Sequence, residues 1–263
     1  LLSPALRSTL VPPLWQPSPY TAGSTQLMHI LPPEFIEGGT AATIERLKGK
    51  ANRDRLRDRI ERGGEGFDNI AGMVGWENII MSTLNTPANK RFEGMTVQDI
   101  AKARGTDPVD CVCDMLIEEN CAITMIDFIT CEEDIARILN CGFASVISDS
   151  IYPASGRPHP RLYGTYARII QRFVGERRDM TLEAAVKAMT YTPAKALNIA
   201  DRGLLKEGLC ADVNVFDPAE VKERGSYADP DKCAAGMDYV FVNGKPAIAA
   251  GKLAEADSGQ VIR

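Results

Sequence analysis

The stretch from Ala144 to Thr165 constrains this chain more than any other. Ala144 to Ile147 is a short apolar run that reads as a buried strand. It ends in Ser148-Asp149, a loop rich in proline and glycine follows, and an amphipathic helix begins at about Thr165. An acid at the carboxyl end of a strand, opening a strand-to-helix loop, is where α/β barrels and open α/β sheets carry their chemistry. The same loop holds His159 and Arg161, a base and a carboxylate-binding cation. A plainer reading stands beside this one: Asp149 caps the loop and Arg161 pairs with it at the surface.

Around this stretch, strand-like and helix-like segments alternate. Helical patterns run from Gly38-Gly39 through Leu47, from Ala51 to Glu61, from Thr96 to Ala103, from Asp107-Pro108 to Leu116 and from Glu132 to Leu139. Thr96 is a candidate N-cap, and Pro108 suits a first helical turn. Between them, Trp76–Leu84 and Ala122–Ile129 read as strands. The alternation predicts an α/β fold with a parallel sheet or barrel. Beyond the 165–174 helix, Thr181 caps the next one and Thr192-Pro193 starts another. After about residue 200 the pattern changes to alternating strands, with a hairpin at Asn243-Gly244. The expected division is an irregular lead-in over 1–18, a body over 19–200 with a helical insertion at about 38–75, and a β unit over 201–263.

Composition narrows the function. A net charge of -5 over 263 residues argues against a nucleic-acid partner. No apolar run approaches membrane length, and Arg7, Pro4, Pro12 and Pro13 break up the start as a signal peptide's core would not be. The seven cysteines are read as reduced thiols of a cytoplasmic protein. Cys111 and Cys113 are two apart on a helix, so they do not share a face as a metal pair would. Cys121, Cys131 and Cys141 are evenly spaced, with no chemistry attached to the interval. In the 51–61 helix Arg53, Arg55, Arg57 and Arg59 alternate with acids, which marks a solvated, salt-bridged face rather than an anion-binding stripe.

Several segments in fixed order carry a family likeness: Ser148-Asp149, Arg157-Pro-His-Pro-Arg-Leu-Tyr-Gly-Thr165, Ala188-Met-Thr190, Thr192-Pro-Ala194, Gly203-Leu-Leu-Lys-Glu-Gly208, Ala211-Asp212, Phe216-Asp-Pro218 and Val242-Asn-Gly244. Pro19-Tyr-Thr-Ala-Gly-Ser-Thr25 and Leu31-Pro-Pro33 belong to the same series. Together they resemble the D-aminoacylase family of the amidohydrolase superfamily, the N-acyl-D-amino-acid deacylases. The likeness covers roughly residues 19–250. It implies the later strands and helices of a metal-dependent-hydrolase TIM-type barrel, with a small carboxyl-terminal β unit. It also implies hydrolysis of the amide of an N-acyl-D-amino acid by water activated on zinc.

By that resemblance Asp149 is the barrel-end acid, both metal ligand and proton carrier. Arg161 binds the substrate carboxylate as a bidentate fork. Ser24 helps hold the same group, and Tyr20 and His159 are counted with the substrate-binding residues; for His159, flanked by prolines, a loop-fixing role is weighed above a catalytic one. Four departures accompany the likeness. The family's Tyr-Pro-Tyr is Ser18-Pro19-Tyr20 here, and residues 1–17 do not resemble the family. The loop from Asp149 to Arg161 is one residue longer than usual. The family's His-x-His pair and further histidines have no match, since the chain's two histidines are His29 and His159. Catalytic zinc usually takes three protein ligands, so this chain alone is expected to hold none. It is expected to work only with a missing amino-terminal barrel half as partner and an N-acyl amino acid as substrate. Two other readings remain open: a truncated, inactive remnant, and a cyclic-amide hydrolase of the same superfamily.

Overall fold

The computed structural model describes residues 15–63, 66–152, 156–254 and 257–262. Residues 1–14 of the expected lead-in and residues 153–155 of the key loop lie outside these. The architecture is α/β, with two separate sheets. The first has strand order β1-β3-β2, made of β1 (Gly23–Gln26), β2 (Ile79–Thr83) and β3 (Thr124–Asp127). The second has the order β4-β5-β6-β7, made of β4 (Val213–Phe216), β5 (Met237–Val242), β6 (Lys245–Ala249) and β7 (Lys252–Leu253).

The first sheet corrects the expectation of parallel pairing. Gly23 to Gln26 lie opposite Asp127 to Thr124, and Ile79 to Thr83 run against the same strand, so both pairings are antiparallel. The reason lies in the connection. A parallel strand-helix-strand unit has one helix between its strands. Here two helices, Val97–Arg104 and Pro108–Glu118, separate β2 from β3, which adds one reversal of direction. Gly105 ends the first of them in a left-handed conformation (φ 67°). Asp107 caps the second, accepting from the N–H groups of Val109 and Asp110. The strand expected at 144–147 is an extended, buried segment paired in parallel with the chain near Trp15: Ser145 N–H donates to the Trp15 carbonyl at 2.8 Å.

Two main cores flank the site. The larger packs Leu27, Leu47, Leu56, Ile79, Met81, Ile100, Met115 and Met125 between the first sheet and the helices around it. The smaller joins Ile135, Leu139 and Val146 to Ile169, Phe173 and Ala185. The arginines of the Lys50–Glu61 helix are less solvated than their alternation predicts. Arg53 pairs with Asp110 and Asp114, and Arg57 with Asp107 and Asp110, tying this helix to Pro108–Glu118. Cys111, Cys113 and Cys121 are buried free thiols, and burial pushes Cys113 up to about 12. The hairpin at Asn243-Gly244 forms as predicted, with both residues at positive φ. Among the described residues, no helix is long and apolar enough to cross a membrane.

The helix bearing Arg161 runs from Arg161 to Arg168 and continues as a π-helical segment, Ile169–Glu176. Its outer arginines converge on one carboxylate. Glu132 accepts from Arg168 at 3.0 Å, Arg172 at 2.8 Å and Arg177 at 3.1 Å. These bonds, that from Arg172 foremost, hold Glu132 below the usual carboxylate range. Glu132→Gln is expected to cost about 2–3 kcal/mol of stability at neutral pH, because three charge-assisted bonds lose their anion. Chemical denaturation of the two proteins measures it. The difference should shrink on acidification, as the native carboxylate becomes protonated.

Candidate active site

The site forms where the end of the first sheet meets the first turn of the 161–176 helix. Arg161 opens that helix, and its position is set by its own backbone. Its N–H donates to Nδ1 of His159 at 3.0 Å, and Nε2 of the same ring reaches the Ala22 carbonyl at 3.1 Å. Nδ1 therefore accepts while Nε2–H donates, which defines the neutral tautomer. The ring is buried between Tyr20 (centroids 5.0 Å apart) and Tyr227 (5.1 Å), both edge-on. Burial, and then the charge of Arg161, lower the His159 pKa to about 3. His159 thus joins the helix start to the chain just before β1, with neither ring nitrogen left over.

The Arg161 side chain is 3% exposed. Its Nη2 lies 3.0 Å from Oδ2 of Asp149 and donates to the Ser24 carbonyl at 3.4 Å. The contact with Ser24 runs through the backbone of β1. Asp149 has 64% of its side chain exposed and sits at φ 50°, a left-handed conformation that aspartate tolerates better than most residues. The two residues singled out in the loop therefore do pair. The pair is lopsided, though: the acid is at the surface and the cation is inside. Burial pulls the guanidinium's pKa down, and Asp149, then Asp127, pull it back up.

Tyr20 is also buried, with its hydroxyl donating to Glu223 at 2.6 Å and the Arg168 guanidinium 4.9 Å above its ring. Burial, and then the bond to Glu223, hold its pKa well above the usual phenol range. Arg168 also meets Glu223 at 3.0 Å and donates to the Pro19 carbonyl. Gly164 makes this packing feasible, since a Cβ there would come within 2.5 Å of the Tyr20 hydroxyl oxygen. All five expected residues, Tyr20, Ser24, Asp149, His159 and Arg161, thus fall in one neighbourhood.

Sequence reasoning missed Asp127. It closes β3, 4% exposed, opposite Gly23, where a Cβ would lie 3.0 Å from its Oδ1. Among the described residues Oδ1 accepts no hydrogen bond, and neither does the Arg161 Nε–H find an acceptor. Burial raises the Asp127 pKa, and the Arg161 charge opposes that rise. Its signal was present in the chain: an acid at the end of an apolar strand, as at Asp149.

The residues present do not fit a complete metal centre. Among the described residues no three His, Cys, Asp or Glu side chains converge. His159 has both nitrogens engaged, and His29 meets the Thr25 hydroxyl at 3.1 Å. What the neighbourhood brings together is a buried guanidinium, Arg161, and a solvent-facing carboxylate, Asp149.

Known proteins share both the sequence and the fold. The amidohydrolase family profile matches residues 92–248. The N-acyl-D-glutamate deacylase of Alcaligenes xylosoxydans xylosoxydans is 37% identical over 165 residues, which is 63% of this chain and 32% of that protein. A D-aminoacylase of the same organism is 36% identical over 155 residues, 59% of this chain and 31% of the relative. This chain thus spans about a third of these relatives' length. Among solved structures, a D-aminoacylase studied for its binuclear metal centre superposes with a TM-score of 0.69 at 27% identity, over 94% of this chain and 42% of its own. The N-acyl-D-glutamate deacylase of Bordetella bronchiseptica, solved with zinc and a phosphonate mimic of the tetrahedral intermediate, gives 0.68 at 27%, over 96% and 44%.

A buried neutral histidine makes stability depend on acid. Between pH about 6.5 and about 3 the unfolded chain carries a proton on His159 that the native chain refuses. Stability therefore falls as pH drops through that window, by up to about 1.4 kcal/mol per pH unit from this group. In His159→Gln, denaturation curves between pH 6 and 4 should show a shallower decline than in the native protein. An equal slope would mean that the ring is protonated inside the fold.

Proposed function

The chain belongs to the amidohydrolase family, and from that premise we propose that it supplies the carboxylate-binding and proton-handling side of an N-acyl-D-amino-acid deacylase site. In this reading, residues 19–200 are part of an α/β barrel and residues 201–263 its accessory β unit. The metal donors come from polypeptide that this sequence does not include. The observation that carries the reading is the contact between Arg161 and Asp149 at 3.0 Å. The cation suited to a substrate's carboxylate already holds a carboxylate, contributed by the residue suited to moving the proton.

Each residue then has a stated task. Arg161 takes the α-carboxylate in its fork, as a planar guanidinium does best. The incoming anion replaces Asp149, whose side chain is exposed and free to turn. Asp149 accepts a proton from the attacking water and later returns it to the nitrogen of the departing amino acid. His159 and Tyr20 keep Arg161 in place without touching the reacting atoms. A D-amino acid with an acidic side chain is the favoured product, because two of the curated relatives are named for N-acyl-D-glutamate and N-acyl-D-aspartate.

Metal content and turnover test this. The isolated chain should bind less than one zinc per molecule and show no turnover of N-acetyl-D-glutamate. Adding the amino-terminal barrel half of a related deacylase should restore zinc-dependent hydrolysis. A well-folded pair without activity would favour an inert remnant instead. In the restored enzyme, Arg161→Lys should raise KM by about tenfold or more with little change in kcat, since a point charge replaces a fork. Asp149→Asn should lower kcat by about 100-fold or more.

A further inference from the structure

Arg161 lies between two carboxylates that differ in how firmly they can hold it. Asp149 hangs from a loop with most of its side chain in solvent. Asp127 stands on β3 inside the sheet, and its Oδ1 is orphaned. The Nε–H of Arg161 is orphaned as well. Both side chains approach one short stretch of β1. Asp127 lies against Gly23, and Arg161 donates to the carbonyl of Ser24. Each also feels the other's charge.

A buried donor and a buried acceptor, both unsatisfied among the described residues and reaching adjacent residues of β1, are costly to leave apart. An acid that faces solvent, by contrast, is readily exchanged for another anion, provided that a second carboxylate can take the buried cation. Resting on the reading of Arg161 as the cation that binds the substrate's carboxylate, we propose that Asp127 is its positioning residue: it takes the Nε–H when Asp149 leaves and keeps the guanidinium in place for the incoming carboxylate. The exposed acid is then the exchangeable partner and the buried acid the one that takes its place. This division lets Asp149 leave for proton transfer without stranding a cation inside the protein. It also gives Gly23 a role, since any side chain there would press on the Asp127 carboxylate.

The test needs no turnover, so it stands or falls separately from the deacylase assignment. The isolated chain is compared with Asp127→Asn, Asp149→Asn and the double variant, by thermal unfolding and by the Arg161 Nε–H resonance, which Arg161→Lys identifies. In Asp149→Asn, the Nε–H should move downfield and exchange with water about tenfold more slowly, as expected for a new charge-assisted bond, while Tm falls by about 2 °C or less. Asp127→Asn should lower Tm at least about twice as much in the Asp149→Asn background as alone, because the second carboxylate then has no substitute. A double variant that fails to fold while both single variants fold supports the proposal equally. Additive Tm losses, or an Nε–H unmoved by Asp149→Asn, would overturn it. So would failure of Asp127→Asn alone to fold, which would make Asp127 a plain structural acid.

Discussion

A guanidinium almost wholly out of water is the constraint around which this structure is arranged. Arg161 stays charged at any ordinary pH, so everything near it answers to that charge. Its backbone is fixed by a neutral histidine, its outer nitrogen by a solvent-facing acid, and its floor by the carbonyl of Ser24. Further along the same helix, Arg168 joins Tyr20, Glu223 and Glu132 in a second set of charges. The helix that carries Arg161 is thus tied at its start to β1 and along its length to the Glu132–Leu139 helix.

The linear order of residues exposed much of this. The stretch 148–161 stood out because an acid ended an apolar run and a base and a cation followed within a dozen positions. Caps at Thr96, Asp107 and Thr181 were readable because side-chain capping is local chemistry. What stayed hidden was non-local. Strand direction in the first sheet depends on how many helices intervene and where they pack, which periodicity does not report. The partners of Arg53 and Arg57 on the Pro108–Glu118 helix are some fifty residues or more away, so their own helix looked self-sufficient. Asp127 was passed over because its meaning comes from Gly23 and Arg161, neither of them near it in sequence.

The chemistry is divided unevenly. A buried guanidinium and a solvent-facing carboxylate are paired, while no three His, Cys, Asp or Glu side chains gather among the described residues. This division parallels the extent of the likeness, since the chain aligns with about a third of its curated relatives.

Gly164 has one more implication. A Cβ at this position would meet the Tyr20 hydroxyl at 2.5 Å and Glu223 at 3.0 Å, so a slip of the helix that brought a larger residue here would drive its side chain into them. The close approach thus opposes a change of helical register. A residue inserted between positions 149 and 161 would then be taken up on the loop side. Lengthening that tether alters the reach of the acid and leaves the cation where it stands, so one partner of the pair is free to vary in placement while the other is not.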